Sequence, residues 1–180
     1  MIDNQRPLRR VVTGVDAEGR SRVLFDSDAP NVTKRENGPT FTELWTMDPV
    51  PATIIGNQDG SDRPLSIGPP DQGAHFRIVQ SPPESAQVFS AEKGHEEFAQ
   101  MNRTGQSEHR TDGPHWNMHR TATVDYGFVL MGRRELILED GAVELDPGDV
   151  IVQLGNWHSW RNITEQGGVS MYVMMGGEYG

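Results

Sequence analysis

From residue 113 to its end, the chain alternates short runs of β-branched, apolar and aromatic residues with turns that contain glycine. Six such runs follow one another, at residues 121–131, 135–138, 142–145, 150–154, 157–163 and 169–175. The segments between them are too short to hold a helix, and antiparallel strands are the ones that short turns can join. The pattern therefore predicts an all-β fold, with an antiparallel barrel or sandwich in this half of the chain.

The preceding residues carry fewer strand signals and predict an extension that packs on the barrel. The elements predicted there are a hairpin at residues 10–13 and 22–25, strands at 40–47 and 75–80, a long loop at 48–73, and one short helix at 91–101 with Ser90 as its N-cap. Neither face of the strand at 40–47 is purely apolar, which favours an edge or interface position. Because 180 residues fit one domain, we expect residues 1–112 (extension) and 113–180 (barrel core) to form a single structural unit.

The charge balance narrows the range of partners. The net charge is −10 at pH 7, and Lys34 and Lys93 are the only lysines, so the chain offers no lysine-rich face to phosphate groups. We therefore expect neither nucleic acid nor a membrane as a partner. The longest apolar runs are far shorter than the ~20 residues of a spanning helix, and the first residues lack the basic-then-apolar pattern of a signal peptide. We expect a cytoplasmic protein.

The absence of cysteine restricts the chemistry of any site. It excludes disulfides, thiolate metal ligands and a cysteine nucleophile, so a metal ion would need His, Asp or Glu. His119 and Asp125 have equal parity on one predicted strand and can point to the same side of the sheet. His158 and Trp160 share a face of a second predicted strand. Two imidazoles and one carboxylate form a ligand set that suits non-haem iron or manganese, and also zinc.

Around these residues the chain resembles the cupin superfamily in the spacing of two motifs. The first motif corresponds here to Gly113, five residues, His119-Arg120-Thr121, three residues, Asp125, six residues and Gly132. The second corresponds to Gly148-Asp149, Gly155, His158 and Asn162. Thr121 stands where the family has a second His, and Asp125 stands where it has Glu. The second motif lacks the usual Pro before Gly155 and is one residue shorter.

The resemblance implies a fold, a ligand and an assembly. The implied fold is an antiparallel double-sheet barrel of the jelly-roll type with a central pocket, an N-terminal β extension and one short helix. The implied ligand is a small organic molecule, and the implied assembly is a homodimer, to which we expect an outward-facing Trp157 and the strand at 40–47 to contribute. Metal-binding cupins hold their ion with three His and one Glu. Here His119, Asp125 and His158 correspond to that set, which implies a divalent ion such as Fe, Zn, Mn or Ni.

Other residues of the expected pocket have more than one interpretation. His115 is the candidate catalytic residue, moving a proton, although a surface or interface position fits it as well. Asp125 fits equally as a carboxylate that orients His119. Thr121 and Trp160 are expected to line the pocket and to contact the substrate.

Several functions are consistent with these residues. The leading hypothesis is an enzyme that uses the metal ion as a Lewis acid on a small organic substrate, with oxygenation, isomerisation, elimination and hydrolysis all open. Two alternatives need no metal: a protein that binds a small ligand, favoured by Thr121 in place of His, and an isomerase in which His119 and Asp125 act as acid and base. Outside the motifs, His75 is expected in a loop or at the surface. Arg77 is expected at the surface, with a position at the barrel mouth, where it would bind a carboxylate, as the alternative.

Overall fold

Antiparallel strands dominate the regular structure of the protein. The computed structural model describes residues 7–15, 21–36, 38–47, 51–53, 58–86 and 91–180. Its strands are β1 (Arg9–Val15), β2 (Ser21–Asp28), β3 (Asn31–Lys34), β4 (Thr40–Met47), β5 (Ala74–Ser81), β6 (Ser107–Arg110), β7 (Met118–Thr121), β8 (Thr123–Met131), β9 (Arg134–Leu138), β10 (Gly141–Leu145), β11 (Val150–Leu154), β12 (Ser159–Asn162) and β13 (Gly168–Gly176). The helical elements in this part of the chain are α1 (Ala91–Met101) and a 3-10 turn, Glu84–Ala86. The predicted all-β class with one short helix is confirmed.

The strands are arranged in two larger sheets and two hairpins. The largest sheet has the order β11-β8-β13-β5-β4-β3, and the second has the order β10-β9-β12. The pairs β1-β2 and β6-β7 form separate two-stranded sheets. All of these pairings are antiparallel. The double-sheet barrel of the jelly-roll type is thus confirmed, and strands β3, β4 and β5 from residues 1–112 complete its largest sheet.

The alternation of side chains along β8 shows which face of the largest sheet is the interior. Thr123, Asp125 and Val129 are buried, whereas Tyr126 and Phe128 between them are exposed. This is the period of two that a strand imposes. The inward residues of the two large sheets enclose an interior that contains both apolar and charged side chains.

One predicted strand is interrupted in the structure. The run at 121–131 breaks at Ala122, so β7 ends at Thr121 and β8 begins at Thr123. Ala122 makes its backbone hydrogen bonds elsewhere, with its N–H donating to the carbonyl of Gln106 (3.2 Å). His119 and Asp125 consequently lie on different strands. The prediction that they share one face of a single continuous strand was wrong.

The strand predicted at an edge lies inside the sheet. β4 has the predicted bounds, but it pairs with β3 on one side and β5 on the other, so β3 is the edge strand. Its partly polar faces have another cause, because Thr42 and Glu43 are buried on opposite faces of the strand, Glu43 on the face of its interior partner Arg77.

The rest of the extension follows the predictions closely. The first hairpin is longer than predicted, with β1 and β2 paired from Arg9 to Asp28, and residues 51–53 and 58–73 contain neither helix nor strand. The helix α1 has the predicted bounds, while Ser90, its predicted N-cap, lies outside the described residues. Gly94 in α1 is explained by packing, since a Cβ atom there would lie 2.4 Å from Cζ3 of Trp116. No helix in the described ranges is long and apolar enough to cross a membrane.

Candidate functional site

A cavity of about 180 Å³ lies inside the barrel, between the two larger sheets and helix α1. All six residues singled out in the sequence line it: His115, His119, Thr121, Asp125, His158 and Trp160. They come from strands β7, β8 and β12 and from the segments that precede β7 and β12. The cavity is therefore the candidate site.

Two histidines contact each other in this cavity. His119 and His158 are joined by a pair of backbone hydrogen bonds, both 2.9 Å long, which link β7 to the residues before β12. Their imidazole rings lie side by side, with 4.4 Å between the ring centroids and 58° between the ring planes. The backbone pairing thus positions the two side chains.

The protonation of both imidazoles follows from their hydrogen bonds. Nδ1 of His119 lies 3.0 Å from the carbonyl oxygen of Asn117, and Nδ1 of His158 lies 2.9 Å from that of Asn156. A carbonyl oxygen only accepts, so each Nδ1 carries the proton and each Nε2 keeps its lone pair in the neutral ring. Burial lowers the pKa of His158 to about 4, and burial together with the neighbouring His158 lowers the pKa of His119 to about 3. Both rings are therefore neutral at physiological pH.

Asp125 is a buried carboxylate with unused hydrogen-bonding capacity. Its exposed fraction is 5%, and within the described residues its Oδ1 has no hydrogen-bond partner. Burial raises the pKa of Asp125 to about 6, against the opposing effects of a hydrogen bond from Thr123 and the charge of Arg77. The carboxyl group is consequently close to half-protonated near pH 6.

The three predicted metal ligands share the cavity, but they do not form one tight group. Among the described residues, no three His, Asp or Glu side chains are placed so that they could hold a metal ion. The contact that exists is between the two imidazoles, and the charge that acts on Asp125 is that of Arg77. Metal binding by His119, Asp125 and His158 stays a prediction.

The two residues expected to contact the substrate have different environments. Thr121 is buried, and its Oγ1 lies 3.0 Å from Oγ of Ser107. Trp160 is half-buried and meets Tyr172 edge to face, with 6.0 Å between the ring centroids. Trp160 and Tyr172 form an aromatic wall of the cavity, which suits an apolar ligand surface. Substrate binding by Thr121 and Trp160 stays a prediction.

His115, the predicted catalytic residue, has a defined tautomer. Its Nδ1 accepts a hydrogen bond from the backbone N–H of Asn117 (3.3 Å) and lies 2.7 Å from Oγ of Ser159. The proton of the neutral ring is therefore on Nε2. That Nε2 lies 4.0 Å from a carboxylate oxygen of Glu84. A proton on Nε2 thus has an acceptor nearby, at the wall of the cavity.

The charged interior was missed by sequence reasoning. Arg77 and His75, both expected at the surface, are buried with an exposed fraction of 4% each. Arg77 forms an ion pair with Glu43 of β4 and donates to the backbone carbonyls of Ile67 (3.1 Å) and Ser66 (2.6 Å). The usable signal was the parity of these residues: His75 and Arg77 share one face of a strand.

His75 belongs to the same buried group. Its Nδ1 lies 3.3 Å from Nη2 of Arg77 and accepts from it. Burial, and secondarily the charge of Arg77, lowers the pKa of His75 well below its usual value. His75 is therefore neutral, and it contributes polarity but no charge to the interior.

Trp157, expected to face outward, does not line the cavity, and its contribution to a subunit interface stays a prediction. It is half-buried, and two guanidinium groups contact its ring, with Cζ of Arg110 4.4 Å and Cζ of Arg120 5.0 Å from the ring centroid. These cation–π contacts cover the ring with residues of its own chain.

The chain is similar in sequence to several known proteins. No protein-family model matches the chain. The cupin-domain-containing oxidoreductase fogC of Aspergillus ruber is 34% identical over 176 residues, which are 92% of this chain and 71% of that protein. Phomopsin biosynthesis cluster protein C' of Diaporthe leptostromiformis is 52% identical over 46 residues, but the match spans only 25% of this chain and 24% of that protein.

Two further matches are to proteins described as containing a cupin domain. The cupin-domain-containing oxidoreductase virC of Hypocrea virens is 42% identical over 62 residues, and the match spans 32% of each protein. Among solved structures, the cupin domain of Cnp3 from Schizosaccharomyces pombe shares 11% identity and a TM-score of 0.48, with 93% of this chain and 87% of that chain covered. The match that extends over most of both sequences is the one with the Aspergillus ruber oxidoreductase.

Proposed function

The chain belongs to the cupin superfamily, and from this premise we propose that it is an oxidoreductase that acts on a small organic molecule inside the barrel cavity. The assignment to oxidoreductases follows the description of the relative that matches 92% of the chain. Similarity of fold alone would not support it, because cupins carry out many unrelated reactions. The proposal therefore depends on what the residues of the cavity can do.

The observation that carries the proposal is the contact between His119 and His158 in the cavity. Two neutral imidazoles whose Nδ1–H groups are held by backbone carbonyls keep their Nε2 lone pairs for a ligand. Histidines that bind metals are commonly oriented by this kind of bond from the second nitrogen. The donor chemistry of the pair fits a divalent transition metal ion.

We assign the third ligand to Asp125. Its buried Oδ1 has no hydrogen-bond partner among the described residues and is available for coordination. To hold a divalent ion such as Fe, Zn, Mn or Ni together with His119 and His158, the Asp125 carboxylate would have to move towards the imidazoles, because the three side chains do not form one tight group among the described residues. When bound, iron or manganese would supply Lewis acidity and a change of oxidation state that oxidation or reduction of a substrate can use.

The remaining cavity residues have roles that do not depend on the ion. His115 holds a proton on Nε2 and would exchange it with the substrate or with Glu84, 4.0 Å away. Trp160 and Tyr172 would cover the apolar part of the substrate and exclude water from it. Thr121, whose hydroxyl is paired with Ser107, shapes the wall beside the imidazoles.

A metal-free reaction is the second candidate, and the environment of Asp125 favours it. The carboxyl group has a pKa of about 6, which burial raises, and it faces the cavity without a hydrogen-bond partner for Oδ1 within the described part of the chain. A group with these properties accepts and returns a proton near neutral pH. In that case Asp125 would act as the base of an isomerase, with the neutral imidazoles as hydrogen-bond acceptors.

Metal analysis separates the two candidates. Protein purified without a His tag is reconstituted with iron, zinc, manganese or nickel, desalted and analysed for bound metal. We expect near-stoichiometric metal in the parent and in His95→Ala, whose histidine is exposed on α1, and none in His158→Ala. If the parent retains no metal, the oxidoreductase proposal fails in its metal-dependent form. Loss of isomerase activity in Asp125→Asn, unaffected by chelator, would then support the second candidate.

A further inference from the structure

A second buried arginine lines the cavity, and unlike Arg77 it has almost no polar partner. Arg134 begins β9 and has an exposed fraction of 4%, equal to that of Arg77. Within the described residues, its Nε and Nη1 atoms have no hydrogen-bond partner. Arg77, by contrast, is paired with Glu43 and donates to two backbone carbonyls. The same cavity thus holds one neutralised guanidinium and one whose Nε and Nη1 donors are unused within the described residues.

The neighbours of Arg134 are aromatic or already engaged. Its Cζ lies 5.9 Å from the ring centroid of Trp160. Asn162, its partner across the strands, donates instead to the carbonyls of Ser81 (3.3 Å) and Pro82 (3.1 Å), and its Oδ1 accepts from Thr164. The negative charge that acts on Arg134 at neutral pH is that of Glu84, which is partly exposed to solvent, because burial raises the pKa of Tyr172 and keeps its phenol neutral.

A buried guanidinium without a partner is costly for the protein. Removing a charge from water costs several kcal/mol unless an opposite charge or several hydrogen bonds replace the water. Burial lowers the pKa of Arg134, in agreement with that cost. A group of this kind is retained where a ligand supplies the missing anion, because the ligand then gains from a desolvated, positioned cation.

We propose that Arg134 binds the carboxylate of the substrate, so that the substrate class of this enzyme is small organic acids with an apolar or aromatic body. One unpaired positive charge matches one carboxylate, whereas a phosphate dianion is usually held by several donors. Trp160 and Tyr172 lie beside the guanidinium and contact the body of the acid. The same cavity contains the imidazole pair, so the acid bound at Arg134 is presented to His119 and His158.

This inference rests on the proposed function for the identity of the site, but its test is a binding experiment without turnover. Isothermal titration calorimetry compares benzoate, phenylacetate and 3-phenylpropanoate with the corresponding primary amides, which have the same shape and no charge. We expect the parent to bind at least one acid about tenfold or more tightly than its amide, since hydrogen bonds to charged groups contribute about 1.5–3 kcal/mol.

Three variants assign that preference to Arg134. Arg134→Gln is expected to bind acid and amide equally and, when empty, to be at least as heat-stable as the parent. Arg134→Lys is expected to keep a reduced preference for the acid. Arg161→Gln is the matched control, because Arg161 lies on the neighbouring strand, is half-exposed and is paired with Glu135; it should bind like the parent.

Several results would overturn the proposal. They are equal binding of acid and amide by the parent, no binding of any of these acids at low-millimolar concentration, and an unchanged preference in Arg134→Gln. If Arg134→Gln does not fold, nitrogen NMR of the arginine Nε–H groups in the parent replaces it, and an Arg134 signal that the acid does not shift has the same meaning. His158→Ala should keep the preference for the acid, so failure of this inference and failure of the metal-dependent function are distinguishable.

Discussion

The two faces of the β8–β11 pair have the opposite polarity to that of an ordinary half-buried sheet. On the inner face, Asp125 of β8 pairs with Gln153 of β11, and both are 5% exposed. On the outer face, Val150, Val152 and Leu154 of β11 are 64%, 60% and 69% exposed. Sheets with one solvated face usually place apolar residues inside and polar residues outside. The inversion leaves polar groups buried on the inner face and apolar side chains exposed on the outer face.

The inner face tolerates the charges of Glu43 and Arg77 because these two groups are matched across neighbouring strands. Glu43 of β4 pairs directly with Arg77 of β5. Asp125 of β8 and His75 of β5 both pair with Met174 of β13, which lies between them, so these three residues form one row across the sheet. Directly paired residues point to the same face of a sheet, so these rows bring the groups together in the interior. The strongest test of the comparison is to remove one member of a matched pair.

Glu43→Gln is expected to have the largest effect. It leaves Arg77 buried without its counter-charge, and breaking a buried pair in this way typically costs about 3–5 kcal/mol of stability. The free energy of unfolding from urea denaturation measures the loss. Glu108→Gln is the control, because its ion pair with Arg120 is solvent-exposed and such pairs contribute about 0–1 kcal/mol. Equal losses in the two variants would show that the inner face is no more sensitive than the surface.

The pH dependence of stability provides the next largest effect. The pKa of His75 in the folded protein lies well below the ordinary value of 6.5, because of burial and, secondarily, of the charge of Arg77. As the pH falls below about 6.5, the unfolded state takes up the proton first, so stability is complete above that pH and is lost below it. The slope for one histidine is up to about 1.4 kcal/mol per pH unit. His119 and His158 contribute with the same sign.

In His75→Gln, the free energy of unfolding should therefore decrease less steeply between neutral and mildly acidic pH, because unfolding takes up one proton fewer. Urea denaturation at a series of pH values gives the slope directly. The charges near His75 are those of Arg77 on its own strand and, acting on Arg77, of Glu43 on β4 and Asp125 on β8, and all three are present in the variant. An unchanged slope in His75→Gln would mean that this histidine is not buried in the neutral form.

Thr121→Val tests a neutral polar pair on the inner face. It leaves Oγ of Ser107 without the partner 3.0 Å away, and an unsatisfied buried hydroxyl costs about 1–3 kcal/mol. We expect a loss near the lower end of that range, because the group is uncharged. The double variant Ser107→Ala, Thr121→Val removes both hydroxyls and should recover most of the stability. A double variant as unstable as the sum of both single changes would contradict the pairing.

The sequence was sufficient for the fold and for six of the residues that line the cavity, but not for its buried arginines or for how the residues are grouped. Strand periodicity and glycine turns located the barrel, and motif spacing located His119, Asp125 and His158. The break at Ala122 could not be foreseen, because it depends on backbone hydrogen bonds between Ala122 and two residues that are distant in sequence. These are Gln106, before β6, and Gly177, after β13. Arg77 and Arg134 were missed for a related reason: a charged residue on a short strand is usually exposed, and only the pairing of strands shows otherwise.

Substitutions on the outer face should have the smallest effect on the free energy of unfolding and the largest effect on the oligomeric state. We propose that Val150, Val152 and Leu154 on the edge strand β11, with Tyr126 and Phe128 of β8, form the contact of a homodimer. Leu154→Lys is then expected to change the stability of the isolated subunit by no more than about 0.5 kcal/mol while it converts the dimer to a monomer in light scattering. Val32→Lys, at the exposed opposite edge of the same sheet, should remain dimeric. A monomeric parent would contradict this proposal, and so would a Leu154→Lys variant that stays dimeric. In either case the exposed apolar residues would not form a dimer contact, and only the polarity of the inner face would have a proposed role.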